Sequence, residues 1–137
     1  MAKRDKSGIE IDFDTISAFV FILESKIDII KRDAVEEADD ADIEQVTVNT
    51  KEVKNIQDTL EKIIKIAKKI IGYIEKDNLL DEKSRIRILT KAGLYRDSAI
   101  RILSKVDGLE VVKGKAALKT INSIINDCKE LNEAVKI

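Results

Sequence analysis

The residue types that usually carry catalysis are scarce in this chain. It has no histidine, which is the commonest general base and metal ligand, and its one cysteine is Cys128. Without histidine to activate a thiolate, we expect Cys128 to be an inert core residue. A single cysteine also forms no intrachain disulfide, which is typical of intracellular proteins. We therefore predict a protein that is not an enzyme.

Two patterns for phosphate and metal chemistry fail on spacing. The gap from Gly108 to Gly114 is one residue too long for a phosphate-binding loop, and Ala116 stands where Ser or Thr would hold magnesium. Residues 33–44 include seven acids, but an EF-hand loop needs a central glycine that this segment lacks. We interpret the acidic segment as a solvated linker or frayed helix end. We predict no metal, no cofactor and no small-molecule substrate.

One cluster of charged residues is suited to binding. Residues 81–106 hold seven bases and three acids, and they contain four of the six arginines of the chain. Arginine presents a planar fork of donors that binds carboxylates or phosphates. The partner is the chain's own acidic segment 33–44, an acidic protein or nucleic acid. The candidate binding residues are Arg85, Arg87, Lys91, Arg96, Arg101 and Lys105.

Residues 84–105 resemble the helix-turn-helix of DNA-binding regulators. Gly93 stands at the turn, and the positions that would hold the two helices together are apolar: Ile88, Ala92, Leu94, Ala99 and Ile102. The resemblance implies that Arg96, Arg101 and Lys105 face phosphates or bases. A helix–glycine–helix hairpin inside a plain bundle would have the same pattern, so both interpretations stay open.

A helix break at Gly93 is the simplest arrangement of this region. Read as one straight helix, residues 79–106 have an apolar side with Arg96 in its middle. That side consists of Ile86, Leu89, Ala92, Ile100, Leu103 and Val106. A buried, unpaired arginine would be very costly, and glycine inside a helix costs about 1 kcal/mol. Two shorter helices meeting at Gly93 would avoid both costs.

Three further segments carry apolar residues at strict spacings of three and four, which predicts amphipathic helices. The first starts near Asp14, the second runs from Asn49 to about Asp77, and the third covers about 115–136. The first helix also has apolar residues outside its stripe at Phe19, Phe21, Ile22 and Ile29. The three stripes are Phe13, Ile16, Val20, Leu23, Ile27, Ile30 and Ala34; Val53, Ile56, Leu60, Ile63, Ala67, Ile70 and Ile74; and Ala117, Ile121, Ile124, Cys128, Leu131 and Val135.

Residues 1–13 differ from this pattern. Ile9, Ile11 and Phe13 alternate with acids, and a period of two suits a short strand or a docked extended segment. We therefore expect an N-terminal arm over 1–13 and a single domain over 14–137.

Together these patterns predict an all-α fold, an antiparallel bundle of four to five helices with a break at Gly93. The net charge is −1, and no apolar run could cross a membrane, so we expect a cytoplasmic protein. Isoleucine outnumbers leucine 23 to 10 and lysine outnumbers arginine 19 to 6, a bias that suggests an AT-rich genome or a thermophile. We expect a non-catalytic assembly or adaptor protein that self-associates or binds a protein. The alternative is a nucleic-acid-binding protein that uses 84–105.

Overall fold

The computed structural model describes residues 6–40, 47–77, 80–109 and 112–135. They form four helices: α1 (Lys6–Asp40), α2 (Thr50–Lys76), α3 (Glu82–Gly108) and α4 (Gly114–Val135). The predicted all-α fold is confirmed, with four helices.

Helix α1 follows the predicted apolar stripe and extends it toward the N-terminus. All seven predicted stripe residues are buried, and Ile9 joins them four positions before Phe13. The expected strand or extended conformation is therefore wrong for residues 6–13, and residues 1–5 lie outside the described part. The physical reason is that Ile9 and Phe13 fit the helical spacing of the stripe, whereas Ile11 points away from the core and is 63% exposed.

Helix α1 also continues further than expected at its other end. Residues 33–40, which we interpret from the sequence as a solvated linker or a frayed helix end, are helical, and Ala34 is buried among them. Positions 41–44 of the acidic segment lie outside the described residues. The apolar stripe therefore reaches into the acidic segment, and burial of Ala34 keeps that part of the segment helical.

Helix α2 begins and ends where the sequence predicts. The Asn49 side chain caps it by accepting hydrogen bonds from the backbone N–H groups of Lys51 (2.8 Å) and Glu52 (3.3 Å). The backbone N–H of Asp77 closes the last turn on the carbonyl of Ile74 (3.3 Å). All seven residues of its predicted stripe are buried.

Helix α3 is continuous, so the predicted break at Gly93 is wrong. Asp81 caps its start by accepting a hydrogen bond from the Ser84 backbone N–H (2.7 Å). A Cβ added at Gly93 would meet nothing within 4 Å, so this glycine serves neither a turn nor a close approach. The buried face differs from the predicted one and consists of Ala92, Tyr95, Ser98, Ala99, Ile102 and Val106.

The phase of α3 explains this error. Ile86 and Ile100, which we expected on the apolar side, are 55% and 45% exposed, while Tyr95 is completely buried. Because Tyr95 lies at the centre of the buried face, Arg96 lies at the edge of that face, and its side chain is 35% exposed. The helix can therefore continue through Gly93 without burying an arginine.

Helix α4 starts at Gly114, whose φ of 62° lies in the left-handed region that favours glycine. Its predicted stripe is buried at Ala117, Ile121, Ile124, Cys128 and Leu131. The side chain of Val135, the last residue of that stripe, lies outside the described part.

The helices form a ring in which α1 and α3 each pack against both α2 and α4. Where neighbouring helices touch, residue numbers rise along one helix as they fall along the other, as in antiparallel packing. Lys69 and Lys62 of α2 lie near Asp12 and Phe19 of α1 respectively. In the centre of the bundle, Phe13 of α1 and Tyr95 of α3 approach each other, with 6.1 Å between the centroids of their aromatic rings. Over the described part of the chain, every helix is too short or too polar to cross a membrane.

Candidate interaction surfaces

The six predicted binding residues do not share one face of α3. At about 100° per residue, Arg85 and Arg96 lie within about 20° of each other, on one flank of the buried face. Arg87, Lys91, Arg101 and Lys105 lie on the other flank. The structure therefore separates the predicted cluster into two groups, and most of its members contact groups within the chain.

Arg85 closes the end of a neighbouring helix. Its Nη1 donates to the carbonyl of Asp77 (2.8 Å) and its Nη2 to the carbonyl of Glu75 (3.4 Å). These are C-terminal carbonyls of α2, which lack partners within their own helix and carry partial negative charge. Arg85 therefore connects the start of α3 to the end of α2.

Arg101 and Lys105 lie on the seam between α3 and α4. Arg101 donates to Glu130 at the surface. Lys105 donates to the Ser123 hydroxyl (2.7 Å), and its Nζ lies 2.6 Å from Asp127 Oδ2 in an ion pair whose angles fall outside hydrogen-bond geometry. Asp127 is only 8% exposed. Charge in this part of the predicted cluster is therefore balanced by α4.

Arg96 pairs with its own neighbour, since its Nε lies 2.9 Å from Asp97 Oδ1. The Asp97 side chain is 62% exposed, so this pair sits in water. Surface pairs of this kind contribute little to stability.

Arg87 and Lys91 are the two predicted residues that line an open groove. The groove lies between the starts of α1 and α3 and has a volume of about 240 Å³. Lys91 Nζ lies 4.7 Å from the centroid of the Phe13 ring, in a cation–π contact. The other lining residues are Ile9, Glu10, Ser84 and Ile88.

Two interpretations of the basic region change as a result. A helix-turn-helix needs two helices that meet at an angle, and residues 84–105 lie within one continuous helix. Pairing of the groove residues with the acidic segment is also wrong for its described acids. Asp33 is twenty residues beyond Phe13 on α1, which is about 30 Å along the helix.

The outer face of α1 carries a second apolar stripe, which sequence reasoning found only in part. Ile22 and Ile29 are 41% and 40% exposed, as expected for surface beyond the core stripe, and Ile11 and Ala18 extend it. These four residues lie on one line at about 100° per residue, roughly opposite the buried stripe. The spacing from Ile11 to Ile29, eighteen residues or five helical turns, is the signal that could have revealed it.

Phe19 and Phe21, the other two apolar residues singled out on α1, separate. Phe21 is 72% exposed. Phe19 packs against the core and lies under Lys62, whose Nζ is 5.7 Å from the ring centroid. Only Phe21 therefore adds to the exposed apolar surface.

A cavity of about 240 Å³ lies between α1 and α4 beside Cys128. Burial raises the pKa of the Cys128 thiol to about 12, with smaller contributions from the charges of Glu24, Asp127 and Asp28. Burial also raises the pKa of Glu24, although a hydrogen bond with Asn132 opposes this. The thiol therefore stays protonated at neutral pH and is unsuited to act as a nucleophile.

Within residues 6–40, 47–77, 80–109 and 112–135, no group of three acids or cysteines is placed to hold a metal ion. Comparison of the chain with protein-family models, curated proteins and solved structures found no match.

Proposed function

We propose that this chain is a cytoplasmic, non-catalytic assembly or adaptor protein that works through protein–protein contacts made by the outer face of α1. The observation that carries the proposal is the exposed stripe of Ile11, Ala18, Ile22 and Ile29, which we call the outer stripe. An amphipathic helix in a four-helix ring needs one apolar side, and α1 has two.

The alignment of the outer stripe indicates a contact surface, because exposed apolar residues that are unrelated to one another would be scattered over the protein. Its members follow one line for about 27 Å along the helix, because eighteen residues each rise about 1.5 Å. Contiguous apolar surface of this kind often marks protein–protein contacts. Single exposed apolar residues such as Leu94 on α3 are ordinary by comparison.

The test compares two charge substitutions at equally exposed isoleucines. Ile22 on the outer stripe is 41% exposed and Ile100 on α3 is 45% exposed. We expect light scattering after size exclusion to give a mass above 15.4 kDa for the unmodified chain and for Ile100→Glu, and the monomer mass for Ile22→Glu. A monomer at hundreds of micromolar for all three would overturn the proposal for self-assembly.

Nucleic-acid binding is a second candidate, supported by the groove where Arg87 and Lys91 lie together. The test is a gel shift with duplex DNA and RNA at two salt concentrations, comparing the unmodified chain with Arg87→Ala. Phosphate binding should weaken steeply with salt, and loss of one contact should reduce that dependence. Binding that is unchanged by Arg87→Ala would exclude the groove as the site.

A further inference from the structure

We propose that the partner of the outer stripe is a second copy of this chain, with the two α1 helices antiparallel and related by a two-fold axis at the level of residue 20. This inference rests on the proposed function and deepens it. Three features support it: the spacing of the stripe, the polar groups beside it and the charge at its two ends.

The spacing of the outer stripe is the same in both directions. Its members lie at positions 11, 18, 22 and 29, separated by seven, four and seven residues. An antiparallel copy centred at level 20 therefore places Ile11 beside the partner copy's position 29 and Ala18 beside the partner copy's position 22. Small Ala18 leaves room for the larger isoleucine, as in knobs-into-holes packing.

Polar residues beside the stripe can be covered at little cost. The Thr15 hydroxyl donates to the carbonyl of Ile11 (2.9 Å), and the Ser25 hydroxyl donates to the carbonyl of Phe21 (3.1 Å). Both donors are satisfied within α1, so an approaching helix need not supply an acceptor. Burying an unsatisfied hydroxyl would oppose association.

Charge at the two ends of the stripe is complementary in the antiparallel arrangement. Residues 3–6 carry three bases against one acid (Lys3, Arg4 and Lys6 against Asp5), and residues 31–40 carry five acids against two bases. The chain enters α1 from this basic sequence, so in an antiparallel pair the start of one copy's α1 lies beside the acidic end of the other copy's α1. A parallel pair would bring the acids of the two copies together, which opposes association.

The size of the contact indicates a reversible dimer. Overlap of residues 6–34 in both copies gives about 40 Å of paired helix, and a helix is about 10–12 Å wide. A strip of roughly 450 Å² is well below the about 800 Å² per partner of a standard interface. We therefore expect dissociation on dilution into the low micromolar range.

Pairs of single cysteines on the full chain test the arrangement, in a Cys128→Ala background that removes the native thiol. A mixture of Ile11→Cys and Ile29→Cys chains should form a disulfide-linked heterodimer under mild oxidation, severalfold above either variant alone. In the antiparallel pair two copies of position 11 are about 27 Å apart, far beyond disulfide reach. Ile100→Cys, on α3, measures background cross-linking, and circular dichroism confirms that each variant folds.

The outcomes separate this inference from the proposed function. Cross-linking of 11 to 29 well above background supports the antiparallel dimer. Cross-linking of 11 to 11 and 29 to 29 in an oligomeric sample overturns it while leaving the outer stripe as a contact surface. Background levels throughout an oligomeric sample that Ile22→Glu dissociates also overturn it. A monomer at every concentration overturns this inference together with the proposed self-assembly.

Discussion

Removal of Asp127 is the change that most directly tests whether the basic residues of α3 hold the bundle together. The Asp127 side chain is 12% exposed and faces Lys105 at 2.6 Å, with Arg101 at 4.0 Å. Asp127→Ala leaves the Lys105 ammonium without its buried anion, which in a fully buried pair costs about 3–5 kcal/mol. The Lys105 side chain is 33% exposed, so water replaces part of that contact.

We therefore expect Asp127→Ala to lower the free energy of unfolding by about 1.5–2.5 kcal/mol, roughly half of the cost of breaking a fully buried ion pair. In thermal melts this corresponds to a decrease in Tm of roughly 5–9 °C for a chain of this size. Asp127→Asn keeps the shape of the side chain and should cost less than Asp127→Ala. Urea denaturation followed by circular dichroism at 222 nm measures both variants.

Glu130→Ala is the matched control, because Glu130 also binds Arg101 but is 53% exposed. Its cost should be clearly smaller than that of Asp127→Ala, since exposed pairs contribute little. A double-mutant cycle with Lys105→Ala should give a coupling of about 1 kcal/mol or more between Lys105 and Asp127. Equal costs for the two acids, or no coupling to Lys105, would refute the account of the seam.

Four further predictions follow from single side chains. Tyr95→Phe should leave stability within about 0.5 kcal/mol, because the Ser17 side chain lies beside the buried Tyr95 hydroxyl but forms no well-aligned hydrogen bond with it; a loss above about 1 kcal/mol in urea would mean that the two groups are bonded. Glu24→Gln should stabilise the fold at pH 7, since burial raises the pKa of Glu24 and favours its protonated form, and melts below about pH 4.3 should show the gain lost. Cys128 should react with a thiol reagent at pH 8 only after unfolding, so rapid native labelling would contradict its burial. Arg96→Ala should cost under about 1 kcal/mol, and a larger loss in denaturant would place its side chain in the core.

The sequence was sufficient for α2 and for most of α1 and α4, because each of these helices has one apolar stripe at unbroken spacings of three and four. Such a stripe determines which side of the helix faces the core. In α3 isoleucine and leucine occur all around the helix, and a hydrophobicity count favours Ile86 and Ile100 over Tyr95 and Ser98. In the structure Tyr95 and Ser98 are the buried residues, because α3 packs against α2 and α4 with that face.

The candidate surfaces were less predictable for a related reason. Residue type identified Arg101 and Lys105 as bases, but their partners Asp127 and Glu130 lie more than twenty positions away in sequence. Only the pairing of α3 with α4 brings them together. The outer stripe of α1 was partly visible because it depends on one helix alone. Its continuation to Ile11 was hidden by the assumption that this region was extended.

The ring order of the helices has a consequence for how the chain folds. Three of the four helix–helix contacts in the ring join helices that are consecutive in sequence, and α2 and α3 are separated by only five residues. Low contact order of this kind is associated with folding in microseconds to milliseconds. The contact of α1 with α4 is the exception, because it closes a loop over most of the chain. The conformational entropy of that loop is lost before the contact is fully formed. We therefore expect the hairpin of α2 and α3 to form early and the docking of α1 on α4 to limit the folding rate.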